Sequence, residues 1–288
     1  MNPIDGSVCI AKGLIQGLIF LCLFGEPAGA QNMEKKTSVL EDVAFCNGAD
    51  RSSPQTQIEG CTALINLSER SAAAAFAYNN RGNAYAEIGD YDRAVADFDE
   101  AIKLNPANAR PYNNRGVAFF RRGEYDLALA SLDGAIKLDP GYGKAFLNRA
   151  ELYQRRMQHG LAARDYDAAI RISPDLKGAF SGRCWARAII GQLQAALEDC
   201  NRSLQSEPAD AAALDSRGLI YMKMGQLEAA IDDYSSALKV NPKLASALYG
   251  RGLAKLKKGD AVDGAADMEE ATSIQAAIRE EFARYGVQ

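Results

Sequence analysis

From residue 75 onward, bulky and small side chains recur at helical spacing, and the whole pattern returns every 34 residues. With units starting at Ala75, Ala109, Gly143, Lys177, Ala211 and Ala245, the fourth position holds Tyr78, Tyr112, Phe146, Phe180, Leu214 and Leu248. The eighth is small: Gly82, Gly116, Ala150, Cys184, Gly218 and Gly252. The twentieth is small as well (Ala94, Ala128, Ala162, Ala196, Ala230, Gly264), and the twenty-fourth is mostly bulky (Phe98, Leu132, Tyr166, Cys200, Tyr234, Met268). Such stripes predict two amphipathic helices per unit, crossing closely where small residues meet and wedged apart by large ones. Gly89, Gly123, Gly191 and Gly225 lie between the stripes and end the first helix; prolines 106, 140, 174, 208 and 242 stop the second. A period this strict identifies an array of stacked units rather than one single-core domain.

Polar positions keep the same step. Arginine stands at 81, 115, 149, 183, 217 and 251, the seventh position of each unit. The twenty-third holds Asp97, Asp165, Asp199, Asp233 and Asp267, with Ser131 as the exception. A half-buried guanidinium needs a fixed partner, so the arginine row is expected to pair with these aspartates across each hairpin. Residues 37–74 look like a degenerate hairpin, because the stretch around Cys61 parallels the stretch around Cys200. In that register both Cys46–Cys61 and Cys184–Cys200 join the two helices of one hairpin. Four cysteines allow three pairings; two such staples are the expected one.

The array resembles the tetratricopeptide repeat family over residues 75–244, through its small, aromatic, Ala and Pro positions. The resemblance implies an all-α, right-handed superhelical solenoid of helix–turn–helix repeats. The repeats would be 75–108, 109–142, 143–176, 177–210, 211–244 and a weaker 245–274, which has Ala276 where the proline should stand. Residues 31–74 form the N-terminal hairpin in this division. The second helix of the sixth repeat is expected to run on into a charged capping helix over 275–288.

In the family, positions 2, 5, 6, 9, 12 and 13 point into the concave face. Asn80, Asn114 and Asn148 occupy position 6 of the first three units, with Asn79 and Asn113 beside them and Asn83 at position 9. Such a row resembles the asparagine ladder in the repeat arm of O-linked N-acetylglucosamine transferase, and it implies amides that hold an extended peptide backbone. Arg110, Lys144, Arg121 and Arg155 border it. Asn83, Asn114 and Lys144 also match three positions of carboxylate-clamp domains, whereas Asn79 and Asn148 depart from that pattern. An extended, mildly acidic segment is the expected ligand. The later units place Trp185, Leu219, Leu253, Met222, Leu256 and Tyr249 on the same face, and this apolar stripe invites either a ligand or cover by the chain itself.

Composition narrows the function. The 288 residues carry a formal net charge of -4, which argues against a nucleic-acid partner. A single histidine, His159, leaves no His-pair metal site, and no glycine-rich phosphate loop or catalytic constellation stands out. No enzyme activity, metal or other cofactor is expected. Residues 1–30 read as an export signal: Lys12, an apolar run from Gly13 to Phe24, and Ala28-Gly29-Ala30 before Gln31. Cleavage there would remove Cys9 and Cys22 and leave no stable membrane insertion. The signal, the stapled first hairpin and the Cys184-Trp185…Asp199-Cys200 unit resemble exported tetratricopeptide proteins of Gram-negative bacteria, which implies a periplasmic or secreted location. A scaffold binding another protein or a peptide segment is the expected function. The alternatives are a permanent subunit of a cell-envelope assembly and an accessory subunit that presents substrate to an enzyme.

Overall fold

The computed structural model describes residues 39–48, 53–67 and 71–287. The proposed signal, residues 1–30, lies outside them. The described residues form helices without a strand. Helix α1 covers residues 39–46 and is followed by α2 (Pro54–Leu67). Six hairpins succeed them. They are α3 (Ala72–Glu87) with α4 (Tyr91–Leu104), α5 (Ala109–Arg121) with α6 (Tyr125–Leu138), and α7 (Gly143–Arg155) with α8 (His159–Ile172). Next come α9 (Ala179–Ile189) with α10 (Leu193–Ser206), α11 (Ala211–Lys223) with α12 (Leu227–Val240), and α13 (Ala245–Lys258) with α14 (Ala261–Ile274). A short α15 (Ile278–Arg284) closes the chain.

Helix boundaries follow local chemistry. The Asp90, Asn108, Asp210 and Asp260 side chains accept backbone N–H bonds at the starts of α4, α5, α11 and α14. Ser71 does the same for α3, which therefore begins three residues before the repeat boundary drawn at Ala75. Helix α9 begins late, at Ala179, because Gly178 (φ 78°) sits in a left-handed turn without a side-chain cap. Between the helices of each hairpin one residue takes a positive φ; glycine fills this place except in the third repeat, where Met157 adopts φ 60°. A side chain there costs about 1–2 kcal/mol, and Met157 is half exposed, so little packing offsets it. Met157→Gly is expected to stabilise the chain by about 0.5–1 kcal/mol, read as a raised urea midpoint.

The stacking explains the curvature. Consecutive first helices touch one another (α3 with α5, α5 with α7, and so on to α13), whereas among the described residues consecutive second helices do not. First helices therefore line the inside of the bend. Within each hairpin the large twenty-fourth side chain fills the space left by the small eighth one. A Cβ on Gly82 would lie 2.7 Å from Phe98, and one on Gly218 would lie 2.8 Å from Tyr234. In the fourth repeat these two places are Cys184 and Cys200, whose sulfurs lie 1.91 Å apart, so a covalent link stands where the other repeats have a wedge. The Cys46 and Cys61 sulfurs, 2.06 Å apart, join α1 to α2 in the same way.

The arginine row is structural. Arg81, Arg149, Arg183, Arg217 and Arg251 each grip the aspartate of their own hairpin through Nε and Nη2, at 2.5–2.8 Å. Nη1 then reaches back one repeat, from Arg149 to Asp133, from Arg183 to Asp167 and from Arg217 to Asn201. These three guanidinium groups thus tie a hairpin together and to its predecessor, whereas Arg251 bonds only within its own hairpin. Arg115 has only the Ser131 hydroxyl and the exposed Asp99.

The C-terminus departs from expectation. Helix α14 does not continue into the tail. It ends at Ile274, the chain bends through Gln275–Ala277, and α15 turns back against α13 and α14.

Candidate binding groove

The concave face divides into two halves of different chemistry. In the first, the asparagines are engaged mainly with each other. The Asn148 amide donates to the Asn113 carbonyl at 2.8 Å, Asn113 donates to Asn114 at 3.0 Å, and Asn114 donates to Asn79 and Asn83 at 3.0 and 2.9 Å. Asn79 then donates to Asn80, and Asn80 to the main-chain carbonyl of Cys46 at 3.0 Å. The row crosses three repeats and ends on the stapled N-terminal hairpin. This corrects the picture of free rungs: Asn79 and Asn113 are buried, and six of the twelve amide N–H donors of the row are spent inside the protein. Asn80, Asn114 and Asn148 are half-buried, and Asn83 is exposed.

The break in the row has a steric cause. A Cβ on Gly182, the sixth position of the fourth repeat, would lie 2.4 Å from the ring of Tyr166, and one on Gly250 would lie 2.3 Å from Tyr234. Where the twenty-fourth position carries tyrosine, the ring reaches under the next first helix and excludes an asparagine there. Phe98 and Leu132 are shorter and leave room for Asn114 and Asn148.

Above the ladder stand the exposed Arg110, Arg121, Lys144 and Arg155. Glu151 is also exposed; partial desolvation raises its carboxyl above the ordinary range and Arg121 draws it down. By repeat position these four cations share this half of the groove with two acids, Glu87 and Glu151, so positive charge is in excess there.

The second half is filled by the chain itself. Ile278, Phe282 and Val287 are buried in one cluster with Leu219, Met222, Tyr249 and Leu253. Phe282 packs on Tyr249 at 4.8 Å, and Tyr285 meets Trp185 edge-on at 5.0 Å. Trp185 is therefore half-buried under the tail, so of the two uses expected for this stripe cover by the chain itself is the one seen; Leu256 alone of it stays exposed. Burial raises the Tyr285 hydroxyl to about 12 and the Asp215 carboxyl to about 7. Asp215 was not singled out from its sequence position. The Ile278, Phe282, Tyr285 spacing of four and three was the available sign that the tail has an apolar face.

Among the described residues no group of His, Cys, Asp or Glu is placed to hold a metal ion, and no helix is long and apolar enough to cross a membrane.

Comparison with known proteins agrees with this architecture. Family models described as "Tetratricopeptide repeat" match residues 79–143 and 123–177, and one described as "TPR repeat" matches 218–259. A search of curated proteins found no match. Among solved structures, a tetratricopeptide repeat protein from Parabacteroides merdae aligns over 87% of this chain and 99% of its own, with a TM-score of 0.62 and 19% identity. PilW, a type IV pilus biogenesis factor, covers 73% of this chain and 94% of its own (TM-score 0.59, 20% identity). YrrB, described as having an unusual peptide-binding site, covers 66% of this chain and 98% of its own (TM-score 0.51, 22% identity).

Proposed function

Because the chain belongs to the tetratricopeptide repeat family, we propose that it is a non-enzymatic scaffold that captures an acidic, extended segment of another protein in the first half of its concave groove. The observation that carries this reading is the row of exposed cations, Arg110, Arg121, Lys144 and Arg155, on the same helices as an amide ladder already bonded to itself. Such a floor is rigid before the ligand arrives, so little ordering cost falls on the protein side. The cations supply attraction and the half-buried Asn80, Asn114 and Asn148 supply polar contact without strong demands on ligand sequence. The peptide-binding description of YrrB is consistent with this use of the fold.

A permanent place in an envelope assembly is less well supported, since the apolar half that would bury a lasting interface is covered by the chain's own C-terminus. The cysteine pairs favour work in an oxidising compartment outside the cytoplasm.

The reading predicts a charge-dependent partner. The protein is used to capture binders from envelope extract, and the bound segment is then titrated as a synthetic peptide. Changing Arg121, Lys144 and Arg155 together to Ala is expected to weaken binding about tenfold or more, and rising salt to weaken the wild type in the same direction. Trp185→Ala should leave it unchanged. Equal binding by wild type and triple variant would refute the acidic-segment assignment.

A further inference from the structure

We propose that the C-terminal segment, residues 275–287, is a displaceable internal ligand. The seat it occupies, formed by Trp185, Leu219, Tyr249 and Leu253, is a second docking surface for an amphipathic helix of a protein partner that presents bulky side chains at the spacing of Ile278, Phe282 and Tyr285. This surface lies in the other half of the groove and does not depend on the acidic-segment reading.

The occupant itself defines the ligand chemistry. Ile278 and Phe282 are almost fully buried, whereas Glu280, Ala283 and Arg284, on the outer side of α15, are exposed. Phe282 makes the aromatic contact to Tyr249, and Tyr285, just past the helix end, makes the one to Trp185. Seven residues are too few for a helix that holds its shape alone. The order of α15 therefore comes from the seat. Helix α14 finishes with its own backbone cap at Gln275, so α15 can depart without unwinding it, at the cost of the Gln275 side-chain bond to Glu281.

The fit of the tail is also incomplete at its base. Asp215 on α11 is enclosed there, and its one hydrogen bond comes from Ser246 of α13 at 2.7 Å. The other titratable groups facing it are Tyr234 of α12 and Tyr285 of the tail, whose hydroxyls its charge pushes up. Burial raises its carboxyl and the Ser246 bond offsets this only in part. The Tyr234 hydroxyl is fully buried without a partner. A carboxylate and a phenol left in this condition oppose closure, and a partner helix bringing a cationic or amide side chain to this point would satisfy both.

The linkage sign follows from the raised Asp215 carboxyl. The closed state holds its proton up to about pH 7, while an open, hydrated carboxylate releases it near its ordinary value. Closure is thus strongest at acid pH and weakens as pH rises toward 7, by at most about tenfold per pH unit for one proton. Above that it is flat.

The test uses the full chain and its single tryptophan, Trp185, which reads the contact with Tyr285 directly. The probe is a labelled synthetic peptide of residues 275–288. Wild type is expected to bind it at least about tenfold more weakly than a Phe282→Ala, Tyr285→Ala double variant, because its own tail competes. In the double variant the peptide should restore the wild-type Trp185 emission, and a peptide carrying the same two substitutions should do neither. On the unmodified protein, amides of residues 278–286 should exchange at least about tenfold faster than those of α13, by an opening of their own. Exchange of the tail only together with α13, collapse of α11–α14 in the double variant, or a folded double variant that ignores the peptide would each overturn the proposal.

Discussion

Arg217→Met is expected to destabilise the fifth repeat by about 3–5 kcal/mol, far more than the same change at Arg115. The guanidinium of Arg217 holds both carboxylate oxygens of Asp233, at 2.7 and 2.8 Å, and reaches Asn201 of the preceding repeat. The Asp233 side chain is only 9% exposed, so removing its partner strands a charge in the wall between two helices. Arg115 faces a neutral hydroxyl and an Asp99 that is 53% exposed, which water can solvate in its place. About 1 kcal/mol is expected there. Adding Asp233→Leu to Arg217→Met should recover most of the loss, because an apolar pair no longer demands compensation. An array of this kind does not melt as one unit, so urea denaturation should be read together with hydrogen exchange in α11 and α12. Equal losses at the two arginines would show that the pairs serve packing rather than charge.

Replacing Cys184 and Cys200 by Ala is expected to cost about 3 kcal/mol and to split the unfolding of the array in two. The link closes a separation of 16 residues and both cysteines are fully buried. The hairpin that it ties is the weakest placed to lose it. Helix α9 has 11 residues, and its start at Gly178 lacks a side-chain cap. Repeats pass stability only to their neighbours, so a frayed fourth repeat uncouples the first three from the last two. Two transitions by hydrogen exchange or calorimetry are expected. The matching change at Cys46 and Cys61, of similar cost, should instead fray the array from one end. It should also loosen Asn80, whose amide rests on the Cys46 carbonyl. A single transition in the Cys184, Cys200 variant would contradict the nearest-neighbour picture.

The two sites differ in how much of them could be read in advance. The cationic border, Arg110, Arg121, Lys144 and Arg155, is where repeat positions place it, on the inner side of the first helices. The ladder was legible as a row of amides but not as a closed one. Asn113 reads as a groove residue by position, yet it is 4% exposed and bonded on both sides. Loss of asparagine in the fourth and sixth repeats suggests a change of ligand when viewed along the chain; in three dimensions it is the room taken by Tyr166 and Tyr234.

What the sequence alone determined, then, is everything that repeats within about one unit. The wedge of positions 8 and 24 and the Arg–Asp pairs join residues 16 apart, and a strict 34-residue period states each of them several times over; the two cysteine links each occur once but are equally local, spanning 15 and 16 residues. Only the tertiary structure decided how the inner face is used. Asn148 meets Asn113 across a repeat boundary, and Trp185 meets Tyr285 across a hundred residues. Such contacts depend on how successive hairpins are rotated against each other and on where an unrepeated tail comes to rest. Neither quantity is written in any one unit, and both follow from the summed packing of side chains along the whole curve.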